Sequence, residues 1–350
     1  MNLNPAKFEL DDYKKKALSK LKDSRIFITG ATGFFGCALL EYFIHFNEKL
    51  GLNSHISILT RNINKFTNKF PIFLKKSYFS YIEGDILDFD FPNKKFTHII
   101  HAASEVNTKS SQDDPLHTFD IIVNGTRRIL DLAKLSESPR FLLTSSGAIY
   151  GKQPETLTHI PETYHGAPDT LEPKNIYGIS KRLAEHLCAI YTKQGVQSVI
   201  ARCFAFVGPY LPLDKEYAIG NFIHDGLFKE KIYVNDGTPF RSYLYESDLA
   251  EWLWIMLACG QSQTAYNVGS ENKISIRDLA ILVKKIFLDY FNKKIDIVES
   301  NFKNKTISYY VPSTLKARQE LNLKENVGLA QGIYETIYSH MSKAKTLNLK

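Results

Sequence analysis

The segment Ile26-Phe27-Ile28-Thr29-Gly30-Ala31-Thr32-Gly33-Phe34-Phe35-Gly36 constrains what this chain can fold into more than any other. An apolar run ends in a glycine-rich turn, and the residues from Cys37 to Phe46 read as a helix. A strand, a tight turn and a helix bring backbone N–H groups and a helix N-terminus to one point, where a pyrophosphate can sit. Gly30 lets the turn close, Gly33 removes a Cβ that would obstruct phosphates, and Gly36 lets helix and strand pack closely. The spacing is G-x-x-G-x-x-G rather than the usual G-x-G-x-x-G, so the turn alone does not separate a binding loop from a structural one. A second signature, Tyr177-Gly178-Ile179-Ser180-Lys181, lies downstream in the same chain.

Short β-like runs alternate with helical stretches around these motifs. Strands are expected at Arg25–Thr29, Ile56–Thr60, Phe79–Glu83, Thr97–Ala102, Arg140–Ser145 and Ser198–Phe204. Helices are expected at Gly36–Phe46, Thr118–Leu135 and Asn175–Gln194. Alternation of this kind implies an α/β fold, a Rossmann-like doubly wound parallel sheet, with its ligand crevice at the C-terminal ends of the strands. After Phe206 the pattern breaks at Pro209, Pro212, Gly220, Gly237 and Pro239. Helices are expected there at Asn221–Phe228, Asp248–Ala258 and Ile276–Tyr290, forming a smaller mixed α/β C-terminal lobe over the crevice. The expected division is an N-terminal extension (1–24), a dinucleotide-binding domain (25–206), a mainly substrate-binding lobe with some chain returning to the core (207–340) and a frayed lysine-rich tail (341–350).

Composition narrows the classes. With 350 residues, 44% of them hydrophobic, the chain can bury one large core or two linked ones. Cys37, Cys188, Cys203 and Cys259 have neither zinc-finger nor C-x-x-C spacing, so they read as reduced small hydrophobes and no metal is expected. No apolar run reaches the roughly 18 residues of a membrane span, and no signal-peptide block opens the chain, so a cytoplasmic protein without a membrane partner is expected. The net charge of +7 is spread along the chain without a nucleic-acid motif, which disfavours nucleic acid and suits an anionic small substrate.

Tyr177 and Lys181 are four residues apart on an expected helix and so share a face. An ammonium near a phenol favours phenolate, which makes Tyr177 a candidate general acid/base with Lys181 lowering its pKa. Lysine can also hold a ribose. Leu142-Leu143-Thr144-Ser145-Ser146-Gly147-Ala148-Ile149-Tyr150-Gly151 places a hydroxyl at a strand end, where it can bind a substrate carbonyl. Each motif alone also fits an ordinary cap, turn or amphipathic helix; the three in order point to hydride transfer. His101, at an apolar strand end, reads as a structural histidine rather than a base.

With these residues in place, the chain resembles an extended short-chain dehydrogenase/reductase of the NAD-dependent epimerase/dehydratase kind, acting on nucleotide sugars. The resemblance runs from about Arg25 to Leu323. It also includes Gly84-Asp85-Ile86, His101-Ala102-Ala103, Asn124-Gly125-Thr126, Arg202 to Pro209, Arg241 to Asp248 and Tyr266-Asn267-Val268-Gly269. It implies Ser146, Tyr177 and Lys181 as the catalytic set. It implies Gly30, Thr32, Gly33, Phe34, Phe35, Gly36, Asp85, Ile86, Ala102, Ala103 and Asn124 around the cofactor, together with Tyr177 and Lys181; Arg61 joins them from its place at the end of the second strand. It implies Ser104, Ser146, Tyr177, Asn221 and Arg241 around the substrate, Arg241 on the diphosphate, and a homodimer formed through two helices per subunit.

Departures from the family pattern bear on the reaction. The resemblance puts Asp-Glu after the catalytic Thr in 4,6-dehydratases and a Glu at position 148 in decarboxylases. Here those positions hold Gly147 and Ala148, neither of which moves a proton. Ala205 replaces an Asn that contacts the substrate diphosphate. The second strand ends Ile58-Leu59-Thr60-Arg61-Asn62, with an arginine where NAD enzymes carry a carboxylate, so NADP(H) is favoured and NAD(H) remains possible. The expected activity is an NAD(P)H-dependent reductase of a nucleotide-diphosphate 4-keto-6-deoxysugar, in nucleotide-sugar and polysaccharide biosynthesis. The alternatives are a 4-epimerase on tightly bound NAD and, from another class, a non-catalytic dinucleotide-sensing binding protein.

Overall fold

The computed structural model describes residues 9–103, 113–136, 139–213, 217–300 and 307–347. In chain order the strands are β1 (Arg25–Thr29), β2 (His55–Thr60), β3 (Phe79–Glu83), β4 (His98–His101), β5 (Arg140–Ser146), β6 (Gln197–Cys203), β7 (Phe206–Val207), β8 (Lys231–Val234), β9 (Phe240–Arg241), β10 (Leu244–Tyr245), β11 (Thr264–Val268), β12 (Ile274–Ser275), β13 (Asp296–Glu299) and β14 (Tyr309–Tyr310). Seven of them form one parallel sheet in the order β11-β6-β5-β4-β1-β2-β3. The order reverses beside β1, between β1 and β4, which opens a crevice at their C-terminal ends.

β11 is the strand that local pattern did not announce. Its run Thr264-Ala265-Tyr266-Asn267-Val268 has no clear alternation, and it joins the sheet through register with Val199–Cys203 of β6. The expected long helix from Thr118 is three pieces. A short helix, Pro115–Phe119, and a π turn, Asp120–Asn124, lead into the helix Gly125–Leu135. The helix after the glycine turn starts earlier and ends later than expected, at Phe34–Leu50.

One face of the sheet is covered by the helices Phe34–Leu50 and Glu246–Cys259, the other by Gly125–Leu135 and Ile176–Thr192. Nearly every side chain of Glu246–Cys259 is buried. A helix buried on nearly every side must sit between layers, so the chain returns from the second lobe to the sheet here. Trp254 stacks on Phe43 at 5.4 Å and donates its indole N–H to Leu39 O at 3.0 Å. The residues ahead of β1, for which the sequence suggested no role, lay the helix Asp12–Leu18 against Glu246–Cys259. Leu18 and Leu21 are fully buried, and Lys14 Nζ lies 2.9 Å from Glu251 Oε2.

A separate apolar core fills the second lobe, built from Ala218–Phe228, Ile276–Phe291 and Leu329–Leu347. The last helix runs on to Leu347, into the lysine-rich segment where a frayed end was expected. Lys343 Nζ donates to Pro209 O at 3.0 Å and lies over the Tyr210 ring, which ties it down. No helix among the described residues is long and apolar enough to cross a membrane.

The helix Phe34–Leu50 approaches the turn so closely that a Cβ on Gly36 would lie 2.3 Å from Ala31 Cα and from Gly30 O, both backbone atoms. Gly36→Ala is expected to lower stability by about 1–3 kcal/mol, the usual cost of overpacking. Gly33→Ala, whose Cβ would meet only Gly30 O at 3.4 Å, is expected to stay near wild type. Urea unfolding of the two variants checks both.

Candidate active site

Gly30 adopts φ +72°, and a Cβ there would lie 2.4 Å from Ala102 C, because the end of β4 passes directly behind the turn. That left-handed position favours glycine. Gly33 is the N-cap of the following helix in extended conformation and has no side chain to cap it. The N–H groups of the first helical turn are thus left to whatever occupies the space in front of them.

That space is a cavity of about 870 Å³ lying across the C-terminal ends of the strands. Arg61, after β2, and Asp85 and Ile86, after β3, line one end. Gly30, Thr32, Gly33, Phe34, Phe35, Ala102 and Ala103 line the middle. Beyond them come Ser146, Tyr177 and Lys181, then Asn221 and Arg241 from the second lobe. The structure therefore brings together in one cavity nearly every residue the sequence nominated. Gly36 lies beneath the turn instead of on the wall. Asn124 is not on this wall: it is exposed and donates its amide to Asp120 Oδ1 at 2.8 Å, while Ile121 lines the cavity from the same π turn. Ser104 lies outside the described residues.

Ser146 ends β5 and caps the next turn, its Oγ accepting from Ala148 N at 3.1 Å. Tyr177 sits in the first turn of Ile176–Thr192, with Lys181 one turn further. Lys181 Nζ donates to Thr144 O at 2.8 Å and lies 5.8 Å from the Tyr177 ring. His101 is held between two threonines, at 2.8 Å from Thr29 Oγ1 and 3.0 Å from Thr126 Oγ1. Burial drops its pKa to about 3, so it stays neutral and structural.

The sequence model of the NAD dependent epimerase/dehydratase family matches residues 26–269, more than half of the chain. The protein belongs to this family. UDP-glucuronic acid decarboxylase 1 of Arabidopsis thaliana is 29% identical over 319 residues, covering 89% of this chain and 68% of that protein. Among solved structures, RMD from Pseudomonas aeruginosa complexed with NADPH superposes with a TM-score of 0.73 at 22% identity, over 91% of this chain and 99% of that one. UDP-glucuronic acid 4-epimerase from Bacillus cereus, in complex with UDP-glucuronic acid and NAD, gives 0.75 at 22% identity, over 90% and 99%. Likeness at that identity shows the shared fold.

In this family member, burial dominates the electrostatics of the catalytic corner. It pushes the Tyr177 phenol well above its ordinary value, with the neighbouring Tyr310 adding to the rise and a hydrogen bond from Ser146 opposing it. The expected lowering by Lys181 is absent from these influences, since Lys181 points its ammonium at the Thr144 carbonyl. Burial also lowers Lys181 itself, to about 8. Tyr177 accordingly holds its proton at neutral pH and is set to donate it.

Sequence reasoning missed several cavity residues from the second lobe, among them Asn235, Asp236 and Tyr310. They sit in short irregular stretches that carry no motif, and only the docking of the lobe brings them near β5. Tyr310 approaches Ser146 Oγ to 3.5 Å.

The depressed Lys181 pKa has a measurable consequence. Between about pH 8 and 10.5 the unfolded chain holds the lysine proton and the folded chain has lost it, so this group makes stability rise with pH across that window. Below the window the full penalty of a buried ammonium is present. Lys181→Met keeps the stem without the charge. Its stability relative to wild type is expected to be greatest below pH 8 and to decline steadily as the pH rises, as read by urea unfolding at several pH values.

Proposed function

We propose that the protein is an NADPH-dependent reductase of a nucleotide-diphosphate 4-keto-6-deoxysugar. The observation that carries the reading is the wall around Ser146 and Tyr177. Two proton-bearing phenols, Tyr177 and Tyr310, flank the Ser146 hydroxyl, no carboxylate stands with them, and the next two residues, Gly147 and Ala148, offer no group able to move a proton. A C4 ketone needs one proton at oxygen and no abstraction from carbon, which is what this set can supply. The family resemblance places a glutamate of decarboxylases where Ala148 stands, and a methyl group cannot take its part. Position 147 has no room for an acid either, since even a Cβ there would lie 2.8 Å from the Phe204 ring and from the Tyr310 hydroxyl.

The cavity fits a dinucleotide. Gly33 leaves the helix N-terminus open to a pyrophosphate, and Arg61 and Asp85 stand at the far end, where the adenosine would lie. β2 ends on that wall as Leu59-Thr60-Arg61, with no carboxylate of its own for a ribose 2′-OH. A guanidinium at this point supports a 2′-phosphate and hence NADPH. A bound nicotinamide would supply the hydride. Ser146 would hold the C4 oxygen, and Tyr177 would donate its proton to that oxygen as the carbonyl becomes an alcohol. Lys181, fixed on the Thr144 carbonyl, would hold a ribose hydroxyl. Asn221 and Arg241 would bind the nucleotide diphosphate, the Arg241 fork being suited to phosphate oxygens. The second lobe would thus be the substrate-binding part.

The second reading is a 4-epimerase using the same trio on tightly held NAD. A non-catalytic dinucleotide sensor has no need of Ser146, Tyr177 and Lys181 together. We also infer a homodimer, since Leu135, Leu183 and Ile190 on the helices Gly125–Leu135 and Ile176–Thr192 are exposed apolar residues.

Denaturing the purified protein and identifying any released dinucleotide, then titrating the emptied protein with NADPH and NADH, separates the two enzymes. Preference for NADPH and its net oxidation by a 4-keto sugar nucleotide are expected. Stoichiometric bound NAD with C4 inversion and no net redox would establish the epimerase instead. Arg61→Ala is expected to weaken NADPH binding about tenfold, the order of one charge-assisted contact, and to leave NADH nearly unchanged. Tyr177→Phe is expected to lower kcat by about 10²–10⁴-fold, the usual contribution of a positioned acid; near-normal turnover would sink the mechanism.

A further inference from the structure

We propose that Tyr310 is a positioning residue for Ser146, a hydroxyl carried in from the second lobe that aims the serine O–H at the reacting oxygen. The inference rests on the catalytic reading of Ser146 given above.

The placement of Tyr310 is over-determined. β14 pairs with β9 in parallel, matching Tyr310 with Arg241, and the ring packs on Phe204 with centroids 4.7 Å apart. The backbone just beyond it is clamped to the region that follows Ser146. Val311 N donates to Gln153 Oε1 at 3.0 Å, Ile160 N donates to Val311 O at 2.9 Å, and Ser313 N donates to Ile160 O at 2.9 Å. The phenol oxygen therefore stands in one place, 3.5 Å from Ser146 Oγ and 2.8 Å from where a Cβ on residue 147 would be.

The serine oxygen can accept two hydrogen bonds and donate one. Ala148 N–H takes one acceptor site at 3.1 Å. Either hydroxyl of the Ser146–Tyr310 pair can donate; with the Tyr310 O–H donating into the other site, the serine's own proton is left to point across the cavity, towards Tyr177 or the oxygen of a bound ketone. Without Tyr310 the serine proton can rotate away and the site loses a preset donor, the kind of loss that falls on the transition state more than on binding. The 3.5 Å separation is long for a hydrogen bond, and contacts of this kind commonly tighten when substrate closes the site. Gly147 belongs to the same arrangement, because any larger residue there would displace the phenol.

Tyr310→Phe keeps the ring on Phe204 and removes only the hydroxyl. It is expected to lower kcat for the C4 reaction, whether net reduction or inversion, about tenfold, the effect of one lost hydrogen bond, with NADPH affinity and KM within twofold of wild type. In a Ser146→Ala background the same substitution is expected to cost nothing more, because its partner is already gone. Full additivity in that double-mutant cycle, an effect confined to KM, or no change in kcat would overturn the proposal. A second readout needs no turnover. With ¹³Cζ-labelled tyrosine, the resonance lost in Tyr310→Phe identifies Tyr310, and Ser146→Ala is expected to shift it. A resonance that stays in place would refute the contact even if the substrate class has been misread, whereas a shift in an enzyme inactive on every sugar nucleotide would fault the proposed function and leave the contact standing.

Discussion

The close approach of the helix Phe34–Leu50 to the turn behind it is the constraint on which the site depends. Two backbone segments meet there with no space for a Cβ at Gly30 or Gly36. Because the turn is that tight, the helix N-terminus faces the C-terminal ends of the strands, and its first N–H groups open onto the cavity. The same packing sets Ala102 and Ala103 against the turn, with Ala103 N donating to Thr29 Oγ1 at 3.2 Å. A looser turn would move the whole cofactor wall relative to Ser146 and Tyr177.

Around Ser146, Tyr177 and Lys181, desolvation weighs more on charge than ion pairing does. Burial keeps the proton on Tyr177, keeps His101 neutral and draws Lys181 down towards neutrality. A fold that relied on a Lys181–phenolate pair would hold these groups closer together. Here the ammonium bonds a main-chain carbonyl, which fixes its place and leaves the phenol an acid. That protonation state is the one the proposed reduction would need, and neither Gly147 nor Ala148 carries an acidic group.

The second lobe is not a simple appendage. The chain leaves the sheet after β6, returns through the buried helix Glu246–Cys259 and β11, and leaves again. Each return ties lobe to sheet, so residues on β9 and β14 arrive at β5 with little freedom. Arg241 and Tyr310 owe their positions to this weaving, as does the filled space beside residue 147.

The glycine turn, six of the seven sheet strands and the Ser146/Tyr177/Lys181 set were legible in the sequence because each is encoded within a few neighbouring residues. Glycine spacing, apolar runs and an i, i+4 pair are local signals. β11 was not legible, since its strand character comes from β6 rather than from its own alternation. Asn124 falls in a π turn from which Ile121 lines the cavity instead, and a motif match carries no information about which side chain of such a turn faces the crevice. Tyr310 stands 164 residues from Ser146 in sequence, in a stretch without any motif, and meets it through lobe packing. The protonation of Tyr177 likewise followed from burial, which is a property of everything packed around a residue. The sequence by itself determined the family, the sheet and the chemical groups available. Only the tertiary structure decided which of those groups meet and what charge they carry, because both depend on atoms contributed by distant parts of the chain.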